Sequence, residues 1–289
     1  MAAVVLDGKV LAKEIQISLK AKVEQLTPKL SRPPGLAVVL VGENPASQVY
    51  VKSKSKNAIE CGIKVKDLKL SAEISNEQLQ NELKQLSLDP EVDGILLQLP
   101  LPKGLDEFQA LLAIAPEKDV DGLHPMNQGL LVRGADCPRP CTPFGVMKLI
   151  DLACEKLQRS KDLSGLKAVV VGRSILVGKP AGTMLLERNC TVEVCHSKTK
   201  DLKATCREAD ILVAAVGRER LITAEYLKKG AIVIDVGINR DLNGKLCGDV
   251  NYESAIEVAS AITPVPGGVG PMTIAMLLSN TVEAAERKI

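Results

Sequence analysis

The fold of this chain is decided by the stretch Val169-Val-Val-Gly172-Arg-Ser174-Ile-Leu-Val-Gly178. An apolar, β-branched run of strand length passes directly into a glycine-containing turn and then into a helical pattern. Glycine lets the backbone approach a phosphate there, and the helix N-terminus offers free N–H donors. The spacing is Gly-x-Ser-x-x-x-Gly, which departs from the usual Gly-x-Gly-x-x-Gly. The stretch predicts a phosphate-binding strand–helix turn.

Strands and helices alternate on both sides of this turn. Apolar or alternating runs predict further strands at residues 36–41, 63–70, 94–99, 191–195, 210–216 and 231–236. Strand–helix alternation with short connections is typical of parallel sheets covered by helices. We therefore expect an α/β protein. It has an N-terminal three-layer α/β domain, a C-terminal doubly wound parallel sheet of the Rossmann type, and a cleft between them.

The length of 289 residues is typical of about two domains. We place the first domain at residues 1–145, completed by a C-terminal helix at 271–289, and the second, nucleotide-binding domain at 146–270. The net charge of +2 gives no reason to expect nucleic acid or a membrane surface as a partner. The start lacks a secretory pattern, and no apolar run approaches the roughly 20 residues of a membrane span. We expect a soluble, cytoplasmic protein.

The cysteines and histidines give little indication of a metal-binding site. None of the eight cysteines forms a CxxC pair, and Cys137 and Cys141 are the closest, four positions apart. A zinc site built from these two and His124 is an alternative, but its spacing fits no strong ligand pattern. We predict no metal, and reduced, mostly buried thiols.

The segment after the predicted strand 191–195 bears on the choice of cofactor. In dinucleotide-binding folds an acidic residue at this place binds the ribose hydroxyls of NAD. This chain instead has Ser197, with Arg173 and Lys198 available. A hydroxyl and a guanidinium suit the 2′-phosphate of NADP, so we favour NADP over NAD. The alternative is a solvated basic turn.

Lys54 lies on the inward face of a predicted helix. Asn44 can cap this helix, Pro45 suits its first turn and Gly62 can end it. Ala46, Tyr50, Ala58 and Cys61 share one face at helical spacing, and Lys54 falls inside that face, whereas Lys52 and Lys56 point to the other side. An inward ammonium must be paired, desolvated or placed in a binding cleft. The alternative is a lysine whose long stem carries its charge to water.

Three further segments carry candidate binding groups. Gln98 ends a strand and can donate and accept at one site. In the loop Asp119-Val-Asp121-Gly122, two carboxylates can hold a metal, act as acid and base, or bind a donor-rich ring, although Asp119 fits a structural or capping role better. Residues 264–271 contain three prolines and three glycines, and this rigid loop before a helix predicts a binding wall rather than a plain domain connection.

Together these residues resemble the bifunctional methylenetetrahydrofolate dehydrogenase/cyclohydrolase family. The matching segments follow in order along nearly the whole chain: Tyr50-Val-Lys-Ser-Lys54, Gly94-Ile-Leu-Leu-Gln98-Leu-Pro-Leu-Pro102, Lys118-Asp-Val-Asp121-Gly122, Pro140-Cys-Thr-Pro143, Val171-Gly-Arg-Ser174 and Thr263-Pro-Val-Pro-Gly-Gly-Val-Gly-Pro-Met-Thr273. The Gly-x-Ser-x-x-x-Gly spacing is this family's own pattern.

The resemblance implies two reactions in one cleft. NADP oxidises methylenetetrahydrofolate, and water then attacks the methenyl product. It implies Lys54 as general acid/base, oriented by Gln98, with Tyr50 stacking on the aminobenzoyl ring and Asp121 accepting hydrogen bonds from the pterin. The remaining folate residues implied are Leu99, Pro100, Pro266, Gly267, Gly268, Val269 and Gly270. The cofactor residues implied are Gly172, Arg173, Ser174, Gly178, Ser197 and Ile238.

The resemblance also implies a homodimer with tetrahydrofolate derivatives as its small-molecule partners. Two other functions stay open at this stage. A monofunctional dehydrogenase would not need Lys54, and a non-catalytic dinucleotide sensor would need neither the lysine nor a folate cleft.

Overall fold

A computed structural model describes residues 3–289 of the chain. Its strands are β1 (Val4–Val5), β2 (Gly35–Val41), β3 (Lys64–Leu70), β4 (Gly94–Leu97), β5 (Lys167–Val171), β6 (Thr191–Cys195), β7 (Ile211–Ala214), β8 (Ile232–Asp235), β9 (Asn239–Arg240), β10 (Leu246–Cys247) and β11 (Ala261–Ile262). Its α-helices are α1 (Gly8–Leu30), α2 (Pro45–Glu60), α3 (Asn76–Leu88), α4 (Glu107–Leu112), α5 (Pro125–Val132), α6 (Cys141–Lys156), α7 (Gly178–Glu187), α8 (Leu202–Cys206), α9 (Tyr252–Ala255) and α10 (Val269–Glu286). Across residues 3–289, no helix combines the length and apolar character that crossing a membrane requires.

The chain divides into two compact units. The six-stranded unit comprises the residues up to Ala12 together with Thr142–Thr273, and the three-stranded unit comprises Lys13–Cys141 and Ile274–Ile289. This division differs from the predicted domains at the N-terminus, because β1 pairs in parallel with β11 and so joins the six-stranded sheet. A two-residue strand carries no periodicity that a sequence pattern can reveal.

The six-stranded sheet has the order β1-β11-β8-β7-β5-β6, and its neighbouring strands pair in parallel. From β5 the chain first continues to β6 on one side and then returns to β7 and β8 on the other side. The strand order therefore reverses between β5 and β7, which is where doubly wound sheets bind dinucleotides. The predicted doubly wound parallel sheet is confirmed.

The three-stranded unit contains a smaller parallel sheet in the order β3-β2-β4. The central strand β2 is buried along its whole length, and Leu79 and Leu83 of α3 pack into the same core. Helix α3 begins with the predicted capping box, in which Ser75 Oγ accepts from Gln78 N and the Gln78 side chain accepts from Ser75 N. Helices thus cover a parallel sheet here too, as predicted.

Candidate active site

Helix α2 holds Lys54 in the interior of the three-stranded unit. The Asn44 side chain caps the helix by accepting from Ala46 N and Ser47 N at 3.0 and 3.1 Å, and Gly62 follows its end with a φ of 85°. The buried residues of the helix are Ser47, Val51, Lys54, Ser55 and Ala58. Lys54 is only 3% exposed, which rules out the alternative of an ammonium reaching water.

The predicted inward face of α2 needs one correction. Ala46 is exposed, because the first turn of the helix lies at the surface, and Tyr50 is half-buried. Ala58 and Cys61 are buried as predicted, and Lys52 and Lys56 are exposed.

Two neighbours fix the Lys54 ammonium. Lys54 Nζ donates a hydrogen bond of 3.2 Å to Gln98 Oε1 and lies 4.5 Å from the centroid of the Tyr50 ring. Gln98 Nε2 donates to Leu99 O at 2.5 Å, so the amide oxygen is turned toward the lysine. Leu99 and Pro100 follow Gln98 and are joined by a cis peptide bond. The structure therefore brings together the ammonium, an aromatic face and an amide.

Asp121 lies in a loop that is held against residues 139–141. Cys141 N donates to Asp121 O at 3.4 Å. At Gly122 the φ is 71°, and a Cβ atom there would come within 2.5 Å of the Arg139 carbonyl carbon, so only glycine fits. The neighbouring Asp119 instead accepts from His124 N at 2.7 Å and from Asn127 Nδ2 at 2.9 Å, and these hydrogen bonds tie the loop to the start of α5.

The charges of Asp121 and Lys54 both act on the buried thiol of Cys141. Burial raises the pKa of this thiol well above its usual value, the Asp121 carboxylate raises the pKa further, and the Lys54 ammonium lowers it. Cys141 Sγ donates to Val120 O at 3.2 Å. In this loop the thiol is therefore held as the neutral, hydrogen-bonding form. Within residues 3–289, no three His, Cys, Asp or Glu side chains form a group that could hold a metal ion.

Asn280 of α10 supports the Asp121 loop and was not identified from the sequence. Its Nδ2 donates to Val120 O and to Arg139 O, both at 2.8 Å. The side chain is 3% exposed, and among the described residues its Oδ1 has no hydrogen-bond partner. A buried Asn in an otherwise apolar helix face was the available signal.

The turn after β5 packs closely at its two predicted glycines. Gly172 has a φ of 133°, and a Cβ atom there would lie 2.1 Å from Ala215 O. A Cβ atom on Gly178 would lie 2.1 Å from Gly172 O. Ser174 Oγ accepts from Val177 N at 3.1 Å and so closes the turn. Both glycines are therefore required by close backbone approach, at the point where the strand order reverses.

Arg173 and Ser197 follow neighbouring strands of the same sheet. Arg173 lies after β5 and Ser197 after β6, and both are exposed at the carboxyl edge. The turn after β6 is closed by His196 N, which donates to Thr199 Oγ1 at 2.9 Å. Exposed Lys198 lies in the same turn.

Ile238 and the proline–glycine loop line one cavity of about 180 Å³ in the six-stranded unit. The cavity brings predicted cofactor and folate residues together, since residues 266–270 and Ile238 all border it. Ile238 is 66% exposed. Lys9 also borders the cavity and was not identified from the sequence.

Comparison with known proteins matches the whole length of the chain. The family models for the catalytic domain and the NAD(P)-binding domain of tetrahydrofolate dehydrogenase/cyclohydrolase match residues 6–121 and 140–289. The bifunctional protein FolD of Moorella thermoacetica is 55% identical over 287 residues, which cover 99% of this chain and 100% of the relative.

Solved structures agree with this similarity. The bifunctional enzyme FolD of Campylobacter jejuni, a methylenetetrahydrofolate dehydrogenase/cyclohydrolase, superposes with a TM-score of 0.95 at 48% identity and covers 100% of both chains. The Trypanosoma brucei enzyme, complexed with NADP cofactor and an inhibitor, superposes with a TM-score of 0.92 at 39% identity and covers 100% of this chain and 99% of that one.

Proposed function

Because this chain belongs to the tetrahydrofolate dehydrogenase/cyclohydrolase family, we propose that it catalyses both reactions and that the residues described above divide the work between them. It is an enzyme of one-carbon metabolism that oxidises 5,10-methylenetetrahydrofolate to 5,10-methenyltetrahydrofolate with NADP. It then hydrolyses the methenyl compound to 10-formyltetrahydrofolate.

The carboxyl edge of β5 and β6 would hold NADP. Gly172 and Gly178 let the turn pack closely against Ala215 and against itself, and the start of helix α7 would offer its free N–H groups to a phosphate. Ser174 would keep the turn closed, and Arg173 with Ser197 would bind the 2′-phosphate. Ile238 would pack against the nicotinamide end. When bound, NADP supplies the hydride acceptor for the oxidation.

Lys54 would act as the general acid/base of the hydrolysis. Overall, water adds to the methenyl carbon, the bond from that carbon to N5 breaks, and one proton is released. The observation that carries this assignment is an ammonium that is 3% exposed and is held by Gln98 at 3.2 Å. A fixed, desolvated donor beside a cationic substrate suits proton transfer better than a solvated lysine does.

Several groups would bind and orient the folate. Tyr50 would stack on the aminobenzoyl ring, and Asp121 would accept paired hydrogen bonds from the pterin N–H groups. Leu99, Pro100 and the loop of residues 266–270 would form apolar and backbone walls. Such positioning is a principal source of rate acceleration.

One assay separates this function from its rivals. Methylenetetrahydrofolate and NADP are added to the enzyme, and NADPH formation and methenyl absorbance are followed together. Formation of NADPH with rapid methenyl decay supports the bifunctional enzyme. NADPH formation with methenyl decay at the uncatalysed rate indicates a monofunctional dehydrogenase, and no NADPH indicates a sensor.

We further propose that the chain forms a homodimer in the cytoplasm. Light scattering after gel filtration would then give twice the chain mass of 30.8 kDa. A monomeric mass at micromolar concentration contradicts the dimer, and recovery of the protein outside the cytosolic cell fraction contradicts the location.

A further inference from the structure

Asp249 joins two loops at the carboxyl edge of the six-stranded sheet. Its carboxylate accepts hydrogen bonds from the backbone N–H groups that follow β7, at 2.6 Å from Val216, 3.0 Å from Gly217 and 2.9 Å from Arg218. Its Oδ1 also accepts from Asn239 Nδ2 at 2.9 Å, in the segment that follows β8. One fully buried carboxylate thus holds both loops.

Asp235, the last residue of β8, holds Asp249 in place. Its Oδ1 accepts from Gly237 N at 2.9 Å and from Asp249 N at 3.0 Å, and its Oδ2 accepts from Val250 N at 2.9 Å. Its own N–H donates to Thr263 Oγ1 at 2.8 Å. The hydrogen-bond donors to both acids are neutral N–H groups.

Two glycines show that this arrangement is closely fitted. A Cβ atom on Gly237 would lie 2.3 Å from Asp249 Oδ1, and a Cβ atom on Gly248 would lie 1.8 Å from Asp235 Oδ2. The Asp249 carboxylate therefore occupies space that is free because residue 237 is glycine. The Asp235 carboxylate likewise occupies space that is free because residue 248 is glycine. Packing alone does not require two buried acids here, and apolar residues would avoid their desolvation cost.

The joined loops form part of the proposed cofactor surface. Residues 216–218 directly follow Ala215, whose carbonyl oxygen lies 2.1 Å from the position of a Cβ atom on Gly172. The other loop contains Ile238, which borders the cavity described above. Asp249 thus holds the backbone that follows β7 and the Asn239 side chain that follows β8, at the carboxyl edge of the sheet.

We propose that Asp249, supported by Asp235, is a positioning residue for NADP binding that sets residues 216–218 and 236–239 in their binding conformation before the cofactor arrives. The inference rests on the proposed function, because it takes this edge as the NADP site. A loop that is already ordered loses less conformational freedom on binding, so the cofactor binds more tightly. The hydrolysis needs no cofactor, so it is independent of this arrangement.

The test is Asp249→Asn, with Asp210→Asn as the matched control. Asp210 lies just before β7, at the opposite end of the same strand, and accepts from Lys167 N at 2.9 Å and Lys228 Nζ at 2.6 Å. In Asp249→Asn an amide nitrogen faces N–H donors. We expect the Kd for NADPH, measured by fluorescence titration without folate, to rise at least about tenfold. Asp210→Asn leaves that Kd unchanged.

Further readouts separate positioning from general destabilisation. Amide exchange at residues 216–218 should speed up in Asp249→Asn without NADPH, while methenyl hydrolysis stays within about twofold of the wild type. An unchanged Kd, or an equal fall in hydrolysis and NADPH affinity, overturns the proposal. If Asp249→Asn does not fold, Asn239→Ala serves instead, because it removes one hydrogen-bond donor to Asp249. It should raise the Kd for NADPH about threefold, and an unchanged Kd in this variant also overturns the proposal. A wild type that does not bind NADPH refutes the proposed function itself.

Discussion

Asp235→Asn tests whether the buried acid at the end of β8 is protonated in the folded protein near neutral pH. Burial raises the pKa of Asp235 from 3.8 to about 7, against the hydrogen bonds from Val250, Asp249 and Gly237, which lower it. The folded-state pKa is thus above the unfolded one. The resulting stabilisation is present at low pH and is lost as the pH rises toward 7. The wild type therefore loses stability across this range because Asp235 titrates. The Asp235→Asn variant has an amide that does not titrate, so it lacks this loss.

The magnitude follows from the size of the shift. At about 1.4 kcal/mol per pKa unit, the full shift corresponds to about 4 kcal/mol. The unfolded chain begins to lose this proton near pH 4, so part of the stabilisation has already been lost at pH 5. The loss in unfolding free energy that remains between pH 5 and pH 8 is about 2.5 kcal/mol. The free energy of unfolding of Asp235→Asn, relative to the wild type, should rise by that amount from pH 5 to pH 8.

Urea unfolding at four pH values measures this difference. Subtracting the wild-type free energy of unfolding from that of the variant cancels the contributions of the carboxylates that both proteins share. Asp210→Asn is the control, because the pKa of Asp210 is lowered by Lys228 and by the Lys167 N–H against an opposing effect of burial. A lowered pKa places its titration below pH 5, so its relative stability should stay flat across the range. A flat profile for Asp235→Asn as well would refute the reasoning, since the buried carboxylate would then be ionised throughout.

Three further variants test the three-stranded unit. Asn280→Ala removes the hydrogen bonds to the Val120 and Arg139 carbonyl groups, so urea unfolding should show a loss of about 2 kcal/mol. The KM for folate should also rise more than the KM for NADP; equal rises in the two KM values would contradict the support given to the Asp121 loop. Asp121→Ala should lose both activities through folate binding, and a normal folate KM in steady-state assays would count against it. Ser75→Ala removes the capping box of α3 and should cost about 1 kcal/mol in urea unfolding with both activities intact; no loss of stability would show that this cap is unimportant.

Local patterns predicted the elements that surround the site. The caps of α2 and the turn after β5 are set by Asn44, Gly62 and Gly172, whose roles depend on neighbours close in sequence. Helix α1 was not assigned, although its buried residues Ala12, Leu19, Val23 and Leu26 follow at intervals of seven, four and three, which is a helical spacing. Two-residue strands such as β1 and β11 left no pattern at all.

Contacts between distant segments could not be read from the chain. Asn280 lies 160 positions from Val120, and Asp235 lies 14 positions from Asp249 across the β9–β10 hairpin. Local sequence periodicity does not predict which buried polar groups form hydrogen bonds with each other, because tertiary packing determines these pairs. Lys54 is an intermediate case, since helical spacing predicted its inward direction but not its distance to Gln98.

The most direct test of the account is the fate of the methenyl compound in Lys54→Met. This variant keeps the length of the side chain and removes the ammonium, so hydrolysis should fall by about 10² to 10⁴, while the Kd for NADPH is unchanged. During any residual oxidation of methylenetetrahydrofolate, the methenyl absorbance should rise in step with NADPH and then decay only at the uncatalysed rate. Decay at the wild-type rate would show that Lys54 does not carry the proton, and would contradict the central claim.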